Sequence, residues 1–239
     1  MSRTLLAVGH NSWNPIGAYT IDLLVAGDVS SGTVNAWNGR KSVLNFTTNG
    51  TKPTKTNDYV SFANCNPTST TSTNAFTGDS KLAIIWRVRH AGTHTSAELW
   101  LELGTSFSAN ANTFGIGQSF SSADFKLDAG AFGTGGTFGY NETAAAGPQN
   151  EWHTVTQIID TSNTRGCSDI RIDGVSQALS GGSTGCLVGN FTTAILCLGN
   201  RAAGGFPASM DVKAFMILHG ADVTAQLANA EAYITTFGS

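Results

Sequence analysis

The chain is predicted to be an all-β protein: a two-sheet antiparallel sandwich closed by one short C-terminal α-helix. In its last third, apolar segments at residues 152–160, 170–174, 194–201 and 212–219 follow one another with turn residues between them, and a helical period appears only afterwards. The stretch 81–90 alternates strictly, with Leu82, Ile84, Trp86 and Val88 on one side and Ala83, Ile85, Arg87 and Arg89 on the other. Charged residues make up 12% of the 239 residues, against about 25% in an average domain, and Gly, Ser, Thr and Asn fill the gap. With 41% hydrophobic residues there is material for a core, so the chain is not of the disordered class.

Taken in order, residues 1–19 have mixed polarity and no period, and are expected to form an N-terminal arm or edge strand. Residues 20–239 are expected to form a single domain, a length within reach of one large β-fold. Short apolar segments at 21–25 and 34–37 are separated by Gly27-Asp28 and Ser31-Gly32, and 59–62 is a further short strand. The Ser/Thr-rich stretch 67–74 has little to bury and is expected to be a surface loop. Residues 91–95, with Gly92, are expected to turn the chain so that 97–103 returns beside 81–90 as a hairpin. Leu99, Leu101 and Leu103 would then face inward, and Glu98, Trp100 and Glu102 outward.

Residues 106–147 are Gly- and Ser-rich, with Phe107, Phe114, Phe120, Phe125, Phe132 and Phe138 as spaced anchors. Short strands suit this stretch better than one long loop. Trp152 has the opposite parity to Val155 and Ile159, so a bulge near Thr154 is expected to bring its ring into the core, where Trp86 also lies. Asp173-Gly174 supplies a tight hairpin turn. The segment 194–198 is apolar on both faces, as in a central strand. Thr224 is the expected N-cap of a helix whose buried face carries Leu227, Ala230, Glu231, Ile234 and Phe237, with Gly238 just past its end.

Composition also removes whole classes of function. A net charge of −3 offers no field for a phosphate backbone, so nucleic acid is not an expected partner. No apolar run approaches the ~20 residues of a membrane span, and residues 5–8 are too short for the roughly 7–15 residues of a secretory core. The protein is therefore expected to fold in the cytoplasm of the cell that makes it. Its four cysteines (Cys65, Cys167, Cys186 and Cys197) show no zinc spacing. Cys167 and Cys186 flank the 173–174 turn and could meet across it, but free thiols are favoured in the absence of export. His90 and His94 stand four apart in a Gly/Thr turn and are expected to be solvated. Neither a nucleophile elbow nor a phosphate-cradling loop is present; Gly133-Thr134-Gly135-Gly136 leads into no helix.

Several motifs together resemble a known family. Trp152-His153 opens a strand, Ile170-Arg171-Ile172-Asp173-Gly174 and Leu198-Gly199-Asn200-Arg201 follow, and an apolar penultimate strand leads to the closing helix. The N-terminal half adds Val34 to Trp37, Pro53, and Val60 to Phe62. Over about residues 20–239 this pattern resembles the laminin-G-like, concanavalin A-like jelly rolls. Stand-alone members of that kind resemble structural proteins of tailed bacteriophages. The resemblance implies a virion protein, on a capsid or in a head or tail fibre, with other virion proteins and host-surface glycans as partners and homo-oligomers as the assembly. Legume-type members hold calcium through clustered Asp and Asn residues. Here Asp124 and Asp128 are the positions that would contribute, but no ligand cluster accompanies them, so no cofactor is expected.

The same fold class includes retaining glucanases with a Glu-x-Asp-x-Glu strand, which Glu98-Leu99-Trp100-Leu101-Glu102 resembles except that Trp100 replaces the central Asp. Two carboxyls must stand about 5–5.5 Å apart for that chemistry, whereas positions i and i+4 of a regular strand are roughly 13 Å apart. Cross-strand ion pairs of Glu98 and Glu102 with Arg87 and Arg89, with Trp100 stacked on a guanidinium, fit the pattern better. Those five residues also have the makings of a sugar platform, with an apolar ring for a pyranose face and charged neighbours for hydroxyls. The expected function is thus a virion surface protein without enzymatic activity that stabilises the particle or adheres to glycans. The alternatives are a free carbohydrate-binding module on Trp100, Glu98, Glu102, Arg87 and Arg89, and, behind it, a β-glucan-active glycosidase.

Overall fold

Alternating strands and Gly-rich turns pair into two stacked sheets in the computed structural model. It describes residues 19–48, 50–63, 65, 68–70, 73–91, 97–104, 113–118, 125–132, 138–147, 149–182, 184, 189–201, 204–220 and 223–238. In chain order the strands are β1 (Thr20–Val25), β2 (Gly32–Thr33), β3 (Ala36–Asn38), β4 (Asn45–Thr48), β5 (Thr54–Thr56) and β6 (Tyr59–Ala63). They continue as β7 (Thr68–Ser69), β8 (Lys81–His90), β9 (Glu98–Leu103), β10 (Thr113–Gln118), β11 (Leu127–Phe132) and β12 (Phe138–Thr143). The remainder are β13 (His153–Asp160), β14 (Cys167–Ile172), β15 (Val175–Ser176), β16 (Leu179–Gly181), β17 (Leu196–Leu198) and β18 (Ser209–His219), followed by α1 (Val223–Thr235).

All strand pairings among the described residues are antiparallel. Sheet A runs β15-β14-β13-β8-β18-β6-β5-β2, with β1 also on β18; sheet B runs β16-β12-β11-β10-β9-β17-β7-β4-β3. Alternation on β8 works as the sequence predicts. Leu82, Ile84, Trp86 and Val88 enter the core between the sheets, where they meet Phe46, Leu101, Leu103, Phe114, Leu196 and Leu198 of sheet B. Ala83 and Ile85 face the other way, joining Ala214, Met216 and Leu218 beneath Leu227, Ala230 and Ile234 of α1. The middle of sheet A is therefore buried on both faces, which explains why β8 and β18 are apolar almost throughout. No helix among the described residues is long and apolar enough to cross a membrane.

Two bulges set which side chains face out. In β18 the pairing to β8 skips Lys213, so Asp211 and Lys213 face outward while Val212 and Phe215 remain in the core. In β9 the pairing to β10 skips Trp100. Trp100 and Leu101 both point into the core, and Glu102 is turned to the opposite face.

Three expectations about local structure are corrected. Strands β8 and β9 are not a hairpin: β8 pairs with β13 and β18 in sheet A, and β9 with β10 and β17 in sheet B, so the chain crosses between layers there. Within 67–74, Thr68 and Ser69 form β7 inside sheet B, where the buried Thr68 hydroxyl bonds that of Thr48 at 3.0 Å. No bulge occurs near Thr154, because β13 and β8 pair without interruption from His153 to Asp160; the shift lies further on, against β14 at Ile158 and Ile159. The Asp173-Gly174 turn is as expected, with φ of 48° and 79°, the left-handed pair that a two-residue hairpin demands. Cys65, Cys167 and Cys197 are buried free thiols, and Cys186 lies outside the described residues, as do residues 1–18 of the expected arm.

Candidate functional site

Helix α1 covers only part of the outer face of sheet A. Beyond its C-terminal turn the apolar row ends at Arg87, and a polar and aromatic strip begins. Regular register places Thr154 opposite Arg87 and Asp211 opposite Arg89, with Trp152 just ahead of β13 on the same face. Tyr59 and Trp152, both half-buried, meet with ring centroids 5.7 Å apart. The Arg89 guanidinium lies 4.9 Å from the Trp152 ring and 5.3 Å from Tyr59, and the Lys213 ammonium 4.6 Å from Trp152. Asp211 anchors Arg89 at 2.6 Å and raises its proton affinity; Asp58 anchors Lys213 at 2.8 Å and is itself held below the usual carboxylate range by that bond.

Next to this strip a groove of about 600 Å³ opens between Trp152, the 173–174 turn and α1, with Arg87, Arg171, Asp173 and Glu231 in its lining. Its polar groups are held in place. Glu231, on the buried face of α1, accepts from Thr156 Oγ1 and Arg171 Nε, both at 2.8 Å, and Arg171 is pushed up by that partner. Arg171 also donates from Nη2 to the Gly174 carbonyl at 2.6 Å, which ties the turn to the helix. Asp173 accepts from the Thr154 amide at 2.9 Å, and its other oxygen lies 2.6 Å from His153 Nδ1. Arg87 donates to the carbonyls of Trp152 at 3.0 Å and Gly238 at 3.3 Å. Burial lowers the proton affinity of Arg87, with the field of Asp173 opposing. Such a cleft offers an aromatic face beside donors and acceptors of fixed orientation, the combination that binds neutral polyols and sugars.

The five residues proposed from the sequence are not brought together. Trp100 is 2% exposed and packs in the core, and Glu98, 4% exposed, meets His90 Nε2 at 3.3 Å and accepts from the Ser209 amide at 2.9 Å. Glu102 is fully buried on the far side of sheet B beside Cys197, whose thiol is pushed up to about 12 by burial and by that carboxylate. Only Arg87 and Arg89 lie at the groove and its flank. The bulge at Trp100 and the crossing between sheets are the reasons. His90, expected in a solvated turn, is buried. Asp128 is fully buried on β11 and Asp124 lies outside the described residues; among the described residues no group of three or more His, Cys, Asp or Glu could hold a metal ion.

Trp152, Tyr59, Arg171, Asp173 and Glu231 were missed as site residues. The parity of Trp152 was the available signal: taken at face value it puts the ring outside. The roles of Arg171 and Glu231 depend on a contact between β14 and α1, 60 residues apart, and have no local signature.

No protein-family model matches the sequence, and comparison with curated proteins finds no match. Solved structures do share the fold. The sialidase of Trypanosoma rangeli in complex with sialic acid matches with a TM-score of 0.61 at 9% identity, over 93% of this chain and 34% of that one. Domain 4 of AbnA, a GH43 extracellular arabinanase from Geobacillus stearothermophilus, in complex with arabinotriose, matches with a TM-score of 0.60 at 11% identity, over 89% of this chain and 98% of that one. The chain spans about a third of the sialidases' length. These neighbours are carbohydrate-active proteins, and at such identities the likeness is one of fold. None of those named here is a virion protein. The expectation of a protein without enzymatic activity is corrected by the same finding: the fold is one that sialidases, which are enzymes, contain.

Proposed function

We propose that the chain binds an oligosaccharide, in the groove between Trp152, the Asp173-Gly174 turn and α1. One observation carries this reading: a half-buried Trp152 lines a cleft of about 600 Å³ together with Arg87, Arg171, Asp173 and Glu231, four charged side chains already held by bonds within the protein. A sugar ring gains by stacking on the indole, while the pre-oriented groups exchange water for hydroxyls at little cost in side-chain entropy. The volume suits a di- or trisaccharide within the usual range for ligand clefts. The likeness in fold to an arabinanase domain solved with arabinotriose supports the choice of ligand class.

The test is a glycan array followed by titration calorimetry on the best ligands, with arabinotriose included, comparing the wild type with Trp152→Ala. Trp152→Ala is expected to weaken binding at least about tenfold, the effect of losing one stacked aromatic ring, with an unchanged circular dichroism spectrum. Equal affinities would remove the groove as the site.

A further inference from the structure

Three cations at the groove and its flank hold a carboxylate in contact, and a fourth, Arg87, does not. Arg171 is paired with Glu231 at 2.8 Å and lies 3.8 Å from Asp169, Arg89 is paired with Asp211 at 2.6 Å, and Lys213 with Asp58 at 2.8 Å, while Asp173 is hydrogen-bonded to His153 at 2.6 Å. Arg87 has no carboxylate within ion-pairing distance among the described residues. Its two bonds go to backbone carbonyls, and its Nε is buried without an acceptor among the described residues. A guanidinium in that position has given up hydration without a contact ion pair, and the field of Asp173 only partly offsets that loss, which a ligand carboxylate in contact would make good.

We propose that the groove selects glycans carrying a carboxylate, which pairs with Arg87 while an adjoining neutral ring lies toward Trp152. This deepens the sugar-binding reading and rests on it. A planar carboxylate suits a guanidinium better than any sugar hydroxyl, because charge-assisted bonds are shorter and roughly twice as strong as neutral ones. Asp173 and Glu231 in the lining, with Asp169 and Glu151 nearby, oppose an anion. But Glu231 is taken by Arg171 and Thr156, Asp173 accepts from the Thr154 amide, Asp169 accepts from the Ser176 hydroxyl at 2.9 Å, and Glu151 is 81% exposed. Water and salt screen such charges over about 8–10 Å, whereas contact with half-buried Arg87 is screened far less. A contact pair with Arg87 is therefore expected to outweigh carboxylates whose own bonds face other partners.

Matched probes test this on the intact chain: trigalacturonate against α-1,4-galactotriose, and 3′-sialyllactose against lactose, by calorimetry at low and high salt. At least one acidic probe is expected to bind about tenfold or more tighter than its neutral partner, as one partly desolvated charge pair would produce, with the margin shrinking in salt. Arg87→Gln should abolish the preference and Arg87→Lys retain part of it, while Trp152→Ala weakens acidic and neutral probes alike. Acidic and neutral partners binding within a factor of about two, or a preference that survives Arg87→Gln, overturns the proposal and leaves sugar binding standing. If no probe and no glycan on the array binds the wild type, the sugar-binding reading fails with it.

Discussion

Trp86 of sheet A and Trp100 of sheet B meet edge to face across the sandwich, with ring centroids 6.2 Å apart and planes at 77°. Trp86 is locked further by Phe215, stacked at 4.5 Å, and by Gln157, whose Oε1 accepts the indole N–H at 3.2 Å. The bulge at Trp100 thus delivers the ring that joins the two layers. Trp100→Ala should cost about 3–5 kcal/mol, as for other buried Trp truncations. Urea unfolding will show this as a lower midpoint at unchanged slope, with ligand affinity per folded molecule unaltered.

Asp22 organises the loop after β3. Its carboxylate accepts four backbone amides, those of Leu23 at 2.9 Å, Lys41 and Val43 at 2.8 Å, and Leu44 at 2.7 Å, and it lies against the α-carbon of Gly39, where any Cβ would collide with it. Asp22→Ala leaves these amides without their acceptor and should cost about 3 kcal/mol or more. Gly39→Ala should cost about 1–3 kcal/mol by displacing the same carboxylate. Thermal unfolding of both variants checks the pair, and the effects should be far from additive in the double mutant.

The docking of α1 depends on Arg171. Removing it as Arg171→Ala leaves Glu231 buried with only the Thr156 hydroxyl, an expected cost of about 3–5 kcal/mol for breaking a buried pair from one side. Arg171→Met combined with Glu231→Met should recover much of that loss. Hydrogen exchange in α1, which should rise in the single variant and return in the double, is the direct measurement.

Acid should weaken the fold partly through Asp160. Burial works against its charged form, but the Ser162 hydroxyl at 2.6 Å, the Ser162 amide at 3.0 Å and the Lys81 ammonium at 3.2 Å outweigh burial and hold the carboxyl below its usual range. A group depressed on folding stabilises the protein above its unfolded value near about 3.9, and that stabilisation is lost as pH falls through the lower folded value. Asp160→Asn should therefore be less stable than wild type by about 1 kcal/mol at pH 7, with the gap closing as pH falls below the ordinary carboxylate range. Denaturant titrations at a series of pH values measure it.

Most of the architecture was legible because alternation is a local property. Leu82 to Val88 face the core, Asp173-Gly174 turns the chain, 194–198 holds an interior strand, and the face of α1 from Leu227 to Ile234 is buried, each by its own spacing. The expectations that failed share a cause. A bulge shifts parity by one residue: the one at Trp100 carries no Gly or Pro to mark it, so Trp100 was placed outside, and the one expected near Thr154 is absent, so Trp152 was placed inside, the reverse of the fold.

What the amino-acid order determined by itself is therefore the class: strands, turns and one closing helix. Which strands share a sheet was decided only in three dimensions, because the pairing of β8 with β13 and β18 rather than with β9 is a choice among distant partners that each bury the same apolar face. The groove follows from that choice. Arg87, Trp152, Arg171 and Glu231 are strangers along the chain, and only the packing of α1 on sheet A makes them neighbours.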